Sequence, residues 1–280
     1  MSWILNHEPA VRLGAFLGIF AVMALWELAG PRRRLTTAKG PRWFANLGIT
    51  IVNTVVVRLL FSTAAVGMAV VAAERGWGVL NQISAPAAIT IIAAVLLLDL
   101  TIYLQHVMFH AVPLLWRLHM VHHADIDFDV TTGLRFHPVE IVLSMLIKLG
   151  VVLFLGPPVV AVLIFEVLLN ATAMFNHGNV RIALSLDCVL RRFVVTPDMH
   201  RVHHSVIPQE TNSNFGFNLP WWDRLLGTYR AQPAAGQEGM AIGLEQYQEQ
   251  RHQTLAWMLG LPFVGRTGRY PVGGGGDALS

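Results

Sequence analysis

The chain has 280 residues, of which 54% are apolar and only 13% charged, with a mean hydropathy of +0.52. That composition is too hydrophobic for an ordinary water-soluble domain and points to a membrane. A single cysteine, Cys188, excludes a disulfide framework, a cysteine-ligated zinc and a thiolate-held iron–sulfur cluster, and a net charge of only +3 gives a nucleic-acid role no support.

A helix needs about 20 mostly apolar residues to cross the hydrocarbon core, and five stretches qualify as candidates. Residues 11–29 are interrupted only by Glu27 and are followed by Arg32, Arg33 and Arg34. The start lacks the basic n-region of a signal peptide, and the arginines form a stop-transfer flank, so this stretch is expected to be an anchor. Residues 46–73 exceed what a perpendicular span requires, which predicts a tilted or partly interfacial helix. Residues 86–104 make a third span that runs on towards His106 and His110. Residues 139–155 and 158–176 make a hairpin of two spans, because Gly156, Pro157 and Pro158 between them break a helix. Beyond residue 231 a run at 255–264 is too short to span, so it lies on the membrane or packs on the rest of the protein. Low complexity is limited to Gly273–Gly276, and the expected units are an N-terminal anchor region (1–85), a catalytic region (86–230) and a C-terminal tail (231–280).

Orientation follows from the basic residues. The loop after the first span carries five Lys or Arg between Arg32 and Arg42, whereas the loop after the second carries only Arg75. The positive-inside rule therefore puts the first loop in the cytoplasm. Counting spans from there places every histidine except His7 on the cytoplasmic side, although no histidine entered the count.

Those histidines are not scattered. "LHMVHH" at 118–123 and "MHRVHH" at 199–204 repeat one spacing, so His119, His122 and His123 have counterparts in His200, His203 and His204, and His106 and His110 form a further i, i+4 pair. Residues three and four apart share a helical face, so each cluster can present several imidazoles to a metal. Eight imidazoles are too many for one ion, which suggests two metals, and imidazole suits zinc, copper, iron and nickel alike. His177 at the end of the fifth span is a ninth candidate, on one stripe with Glu166, Asn170 and Met174. His137 is a tenth, either near the metal or simply at the start of the helix that Pro138 opens. His7 and His252 read as ordinary surface or hydrogen-bonded histidines.

Ionisable residues within spans are functional candidates because burying them in lipid is costly. Asp99, Tyr103, His106 and His110 fall on one stripe, so Asp99 could accept the outer N–H of a metal-bound imidazole, or else hydrogen-bond a neighbouring helix. Glu166 and Asn170 present the same choice. A membrane metal transporter is the rival reading, but transport favours ligands lining a path at mid-membrane, whereas these histidines gather at one surface.

"HVMFH", "LHMVHH", "RFHPVE", "FNHGN", "TPDMHRVHHS" and "NSNFGFNLPWWDRLLGTY", in this order over residues 90–230, resemble the fatty acid hydroxylase superfamily, also called the sterol desaturase family. The resemblance implies an all-α integral membrane protein of about four to five transmembrane helices, with a cytosolic helical cap holding a histidine-rich dimetal site. It implies a di-iron, dioxygen-dependent lipid hydroxylase or desaturase, with zinc a substitute for iron in a purified sample. The implied metal ligands are His106, His110, His119, His122, His123, His177, His200, His203 and His204, with Asp99, Glu166, Asn170 and His137 around them. Fatty acid 2-hydroxylases of this family carry a further histidine where this chain has Ala173, and "RFHP" resembles the sterol-oxidase side, which makes His137 the candidate compensating group.

The implied partners are a sterol, fatty acyl or related lipid, dioxygen, and a separate electron donor of the cytochrome b5, ferredoxin or reductase kind. A separate donor is expected because no Gly-rich dinucleotide motif, cysteine cluster or fused cytochrome b5-like segment is visible. Trp221 and Trp222 are expected to anchor the cap at headgroup level.

Overall fold

A computed structural model describes residues 7–61 and 64–272; the Gly273–Gly276 run lies outside them. Among the described residues the fold is all-helical, with two isolated β-bridges and no strand. In chain order the α-helices are α1 (Glu8–Ala29), α2 (Lys39–Leu60), α3 (Ala65–Arg75), α4 (Ala87–Ala111), α5 (Pro113–His123), α6 (Pro138–Leu155), α7 (Val159–Asn176), α8 (Leu184–Leu190), α9 (Pro197–His203), α10 (Pro208–Thr211), α11 (Trp221–Leu225), α12 (Gly236–Gly239) and α13 (Leu255–Val264).

Among the described residues, five segments are long and apolar enough to cross a membrane: Glu8–Ala29, Lys39–Gln82, Ala87–Ala111, Pro138–Leu155 and Val159–Asn176. Their outward faces carry exposed Leu13, Leu17, Ile51, Leu59, Ile92 and Phe154, a pattern that suits lipid rather than water. The side chains between them close one apolar core of Leu98, Ile102, Val152, Val162 and Phe165 against Ala65 and Ala69.

The stretch expected as one long helix from 46 to 73 begins earlier and is broken. α2 starts at Lys39, and Phe61 leaves the helical conformation with φ −118° and ψ 109° before α3 resumes. The first half of α2 belongs to the cap, since Arg42 Nη1 lies 2.8 Å from Asp125 Oδ2, and only from Asn53, which donates to Phe136 O at 2.9 Å, does it run along α6.

Contacts fix the direction of each span. Arg12 meets Glu166 and, further along α1, Glu27 accepts from Val130 N and Asn179 N at 2.7 and 2.9 Å, so α1 runs parallel to α7. At the opposite end the α6–α7 turn is clasped by the loop before α4. Gly78 (φ +95°) and Gly156 (φ +59°) approach so closely that a Cβ on Gly78 would sit 2.2 Å from Gly156 N. The basic loop after α1 sits at the histidine end, where the Thr36 and Thr37 amides both donate to Asp127 at 2.9 Å.

The cap is built from everything else. α5 and α13 pack face to face through Trp116, Met120, Met258 and Leu261, with Ala45 and Ile49 of α2 and Tyr270 completing the layer. Of the two placements open to the 255–264 run, the structure has it packed on the cap, with its end residues Phe263 and Val264 exposed. Buried charge ties α2 to the segment after α5: Asp125 and Asp129 both pair with Arg42, and Arg135 donates to Val121 O and Gln253. These ions are paired and hydrogen-bonded, as burial demands.

Candidate metal centre

Chain breaks at helix ends bring the histidines together. α4 carries His106 and His110 on its last two turns and stops at Val112, because Pro113 cannot continue it and instead opens α5. α5 folds back over the end of α4 with His119, His122 and His123. His177 is the C-cap of α7, and α9, opened by Pro197, brings His200 and His203 with His204 as its C-cap. All nine are buried, none more than 3% exposed.

They form two groups: His106, His110, His119, His123 and His203 in one, and His122, His177, His200 and His204 in the other, the potential ligand atoms of each group lying within 4.8 Å of one another. The repeated motifs are therefore divided. His119 and His123, four apart on α5, go to the first group, while His122 turns to the second, so the shared face expected for all three does not hold. α9 divides likewise, with His203 in the first group and His200 and His204 in the second.

What the imidazoles face outward decides what they can hold. His106 Nδ1 lies 2.7 Å from Phe215 O, His203 Nδ1 2.7 Å from Ser213 O, and His177 Nδ1 2.7 Å from Ala173 O. A carbonyl only accepts, so each of these rings carries its proton on Nδ1 and keeps a lone pair on Nε2. His119 Nδ1 faces Glu140 Oε1 at 2.7 Å. His110 Nδ1 faces Asn212 Oδ1 at 3.0 Å, and Asn212 cannot be reversed, because its amide nitrogen donates to Tyr270 O at 2.7 Å.

The inward nitrogens then confront one another. His106 Nε2 and His119 Nε2 are 3.0 Å apart, His110 Nε2 and His123 Nε2 3.1 Å, and His177 Nε2 lies 3.1 Å from both His122 Nε2 and His200 Nε2. For His106 and His119, whose outer nitrogens both face acceptors, two lone pairs at that distance repel unless a cation lies between them. With metal–nitrogen bonds of about 2.1 Å, adjacent ligands of one ion fall about 3.0–3.4 Å apart, so the donor set fits a metal in each group.

The surroundings keep the site dry and the rings neutral. Phe136 stacks on His122 at 4.4 Å, Phe217 lies 5.2 Å from His106, Phe128 5.5 Å from His177, and Trp116 4.8 Å from His110. Burial pushes His119 and His177 down to about 3 and holds His122, His123, His200, His203 and His204 well below the usual imidazole range. Neutral imidazole is the ligand form.

The residues expected around the metals are differently placed. Asp99 does not orient an imidazole: its Oδ2 accepts from Trp222 Nε1 at 2.8 Å. Glu166 pairs with Lys148 and Arg12 at 3.1 Å in the bundle, and Asn170 donates to Glu166 O from an exposed position, so that stripe does not converge on His177. His137 stands outside both groups as the N-cap of α6, its Nδ1 accepting from Val139 N at 3.2 Å and its Nε2 3.3 Å from Leu259 O. The carboxylate that meets an imidazole is Glu140, three residues after His137. No histidine replaces the one absent at Ala173; the Ala173 carbonyl itself orients His177. Asp223 acts at one remove, accepting from Phe215 N at 2.8 Å and Gly216 N at 2.9 Å and so fixing the peptide whose carbonyl holds His106.

The fatty acid hydroxylase family model matches residues 91–228. An ornithine lipid hydroxylase of Rhizobium tropici is 28% identical over 158 residues, covering 56% of this chain and 46% of that protein. The alkylglycerol monooxygenases of Homo sapiens and Xenopus tropicalis are 29% and 30% identical over 145 and 136 residues, covering 50% and 47% of this chain but 30% and 28% of theirs. The chain thus spans less than half the length of these relatives, and no solved structure matches it. Residues 91–228, which hold all nine clustered histidines at the end of an apolar helical bundle, belong to the fatty acid hydroxylase family.

Proposed function

We propose that this protein is a membrane-bound lipid hydroxylase in which His106, His110, His119, His123 and His203 hold one iron ion and His122, His177, His200 and His204 a second. The observation that carries the reading is the convergence of inward-facing imidazole nitrogens in two adjacent groups, with five outer nitrogens already engaged by acceptors. Two bound irons would supply the dioxygen activation that an unactivated C–H bond requires. The net reaction consumes a C–H bond, dioxygen, two electrons and two protons, and yields an alcohol and water. Hydroxylation is favoured over desaturation because the relatives named above are a hydroxylase and monooxygenases.

The chain's own residues do the rest. Acceptors on the outer nitrogens of His106, His110, His119, His177 and His203 hold these five imidazoles in the ligating tautomer, so those rings need no reorganisation when a metal enters. Phe136, Phe215 and Phe217 exclude water from the reacting centre and offer an apolar floor to a lipid chain arriving from between the spans. The catalytic region is taken as 86–230, with the anchor region bonded to it through Arg42 and the tail through Tyr270. The basic loop after α1 lies at the histidine end, which supports a cytoplasmic centre and electron delivery by a separate cytosolic carrier of the cytochrome b5, ferredoxin or reductase kind.

The test is a comparison of lipid extracts by mass spectrometry from cells carrying the wild type, His203→Ala or no protein. A lipid heavier by one oxygen atom only with the wild type is the expected result and names the substrate. A lipid lighter by two hydrogens would replace hydroxylation with desaturation. Matching profiles, with iron measured in the protein and donor and oxygen supplied, would overturn lipid oxidation.

A further inference from the structure

One surface near the metal centre has the wrong polarity for water. α8 and the three residues beyond it expose Leu184, Leu186, Val189 and Phe193 by at least half their area, and α11 with the residue after it exposes Leu225 and Leu226 to the same degree. The two pieces are joined: Trp221 Nε1 donates to Arg192 O at 2.7 Å, and Arg224 donates to Arg191 O at 3.1 Å. Asp187 of α8 and Arg191, the residue that caps its end, point the other way, buried as a pair against the protein. A helix at a water-facing surface has its charges outside and its leucines inside, and this one is reversed.

Its depth is fixed by what α11 touches. Trp222 reaches Asp99, seven residues before His106 on α4, which at 1.5 Å per residue is about 10 Å further into the span. Asn218, on the approach to α11, bonds Thr172, five residues before His177 on α7. The start of α11 therefore lies beside the histidine-side parts of α4 and α7, at the level of the spans. Exposed Arg192 and Arg224 border the apolar surface, a charge that suits lipid phosphates and opposes burial against an apolar protein face.

We propose that α8 and α11 form a wedge sunk into the acyl-chain region of the leaflet on the histidine side, with Arg192 and Arg224 at phosphate level. The proposal does not depend on the lipid-hydroxylase reading. Its bearing on the metal centre is mechanical, since Asp223 of α11 holds the Phe215–Gly216 peptide beneath the histidines, and a wedge seated in the leaflet sets that floor against the acyl chains.

The native cysteine provides the probe, because Cys188 is the only cysteine of the chain and lies exposed on α8. The purified protein is labelled there with an environment-sensitive fluorophore, then reconstituted into phosphatidylcholine–phosphatidylglycerol vesicles. A second reporter is Leu225→Cys in a Cys188→Ser background. Lipids spin-labelled on the acyl chain are expected to cut emission at least twofold at both positions, while aqueous iodide changes it little. Quenching by iodide but not by lipid at both positions would show a water-facing surface, and quenching by neither would show one covered by protein; either overturns the proposal.

Discussion

Glu140 Oε1 stands 2.7 Å from His119 Nδ1, although the carboxylate belongs to the first turn of a span and the imidazole to a cap helix. An acceptor on the outer nitrogen raises the basicity of a ligating imidazole and fixes its orientation. Glu140→Leu is expected to lower metal affinity about 10–100-fold, the usual effect of removing such a partner. Glu140→Gln, which keeps an acceptor, should fall between that variant and the wild type. Metal retention against a chelator, followed by elemental analysis, reads both.

His137 and His200 should behave oppositely. His137 caps α6 and stands apart from both groups, so His137→Ala is expected to keep full metal content and lose about 1 kcal/mol of stability, the worth of an N-cap. His200→Ala should bind less metal. Metal-to-protein ratios paired with thermal unfolding in detergent separate the two.

Gly133 sits where no side chain fits. A Cβ there would meet Ala173 O at 2.6 Å and His177 Nδ1 at 3.1 Å, in the hydrogen bond that orients His177. Gly133→Ala should therefore disturb the four-histidine group directly, and elemental analysis should find less metal than in the wild type.

Arg42 is 1% exposed and serves Asp125 and Asp129 together. Arg42→Leu leaves two buried carboxylates without their cation, and a loss of about 3–5 kcal/mol is expected. Thermal or denaturant unfolding measures it, and a loss below about 1 kcal/mol would mean that Arg135 alone can hold the pair.

Acid should release the cap. The cap histidines bind protons near 6.5 when unfolded but resist them when folded, His119 and His177 down to about 3. The unfolded state therefore takes up more protons below that value, and stability present above about pH 6.5 is lost as pH falls. Unfolding curves collected between pH 7.5 and 5 should steepen towards acid, with an uptake of several protons.

Much of the centre was legible in the sequence because histidine clusters carry their own signal. A doubled spacing and a third pair at i, i+4 survive any uncertainty in the fold, and the five spans followed from length and apolarity. Glu140 gave no such signal, since a glutamate two residues into a helix that Pro138 opens reads as a partner of the helix dipole. Asp99 lies on the stripe of His106 and His110, and of the two roles open to it there, orienting an imidazole or bonding a neighbouring helix, it takes the second through Trp222, 123 residues later in the chain. The division of His122 from His123 depends on where α9 lies across from α5, which helical periodicity within α5 does not encode.

That division has a consequence for assembly. Each HxxHH helix reaches into both groups, so neither α5 nor α9 belongs to one metal alone. With ions bound as proposed, the first to arrive immobilises both helices and thereby raises the local concentration of ligands for the second. Loading should be cooperative, half-filled protein should be scarce, and a titration with metal should pass from empty to doubly filled with little in between.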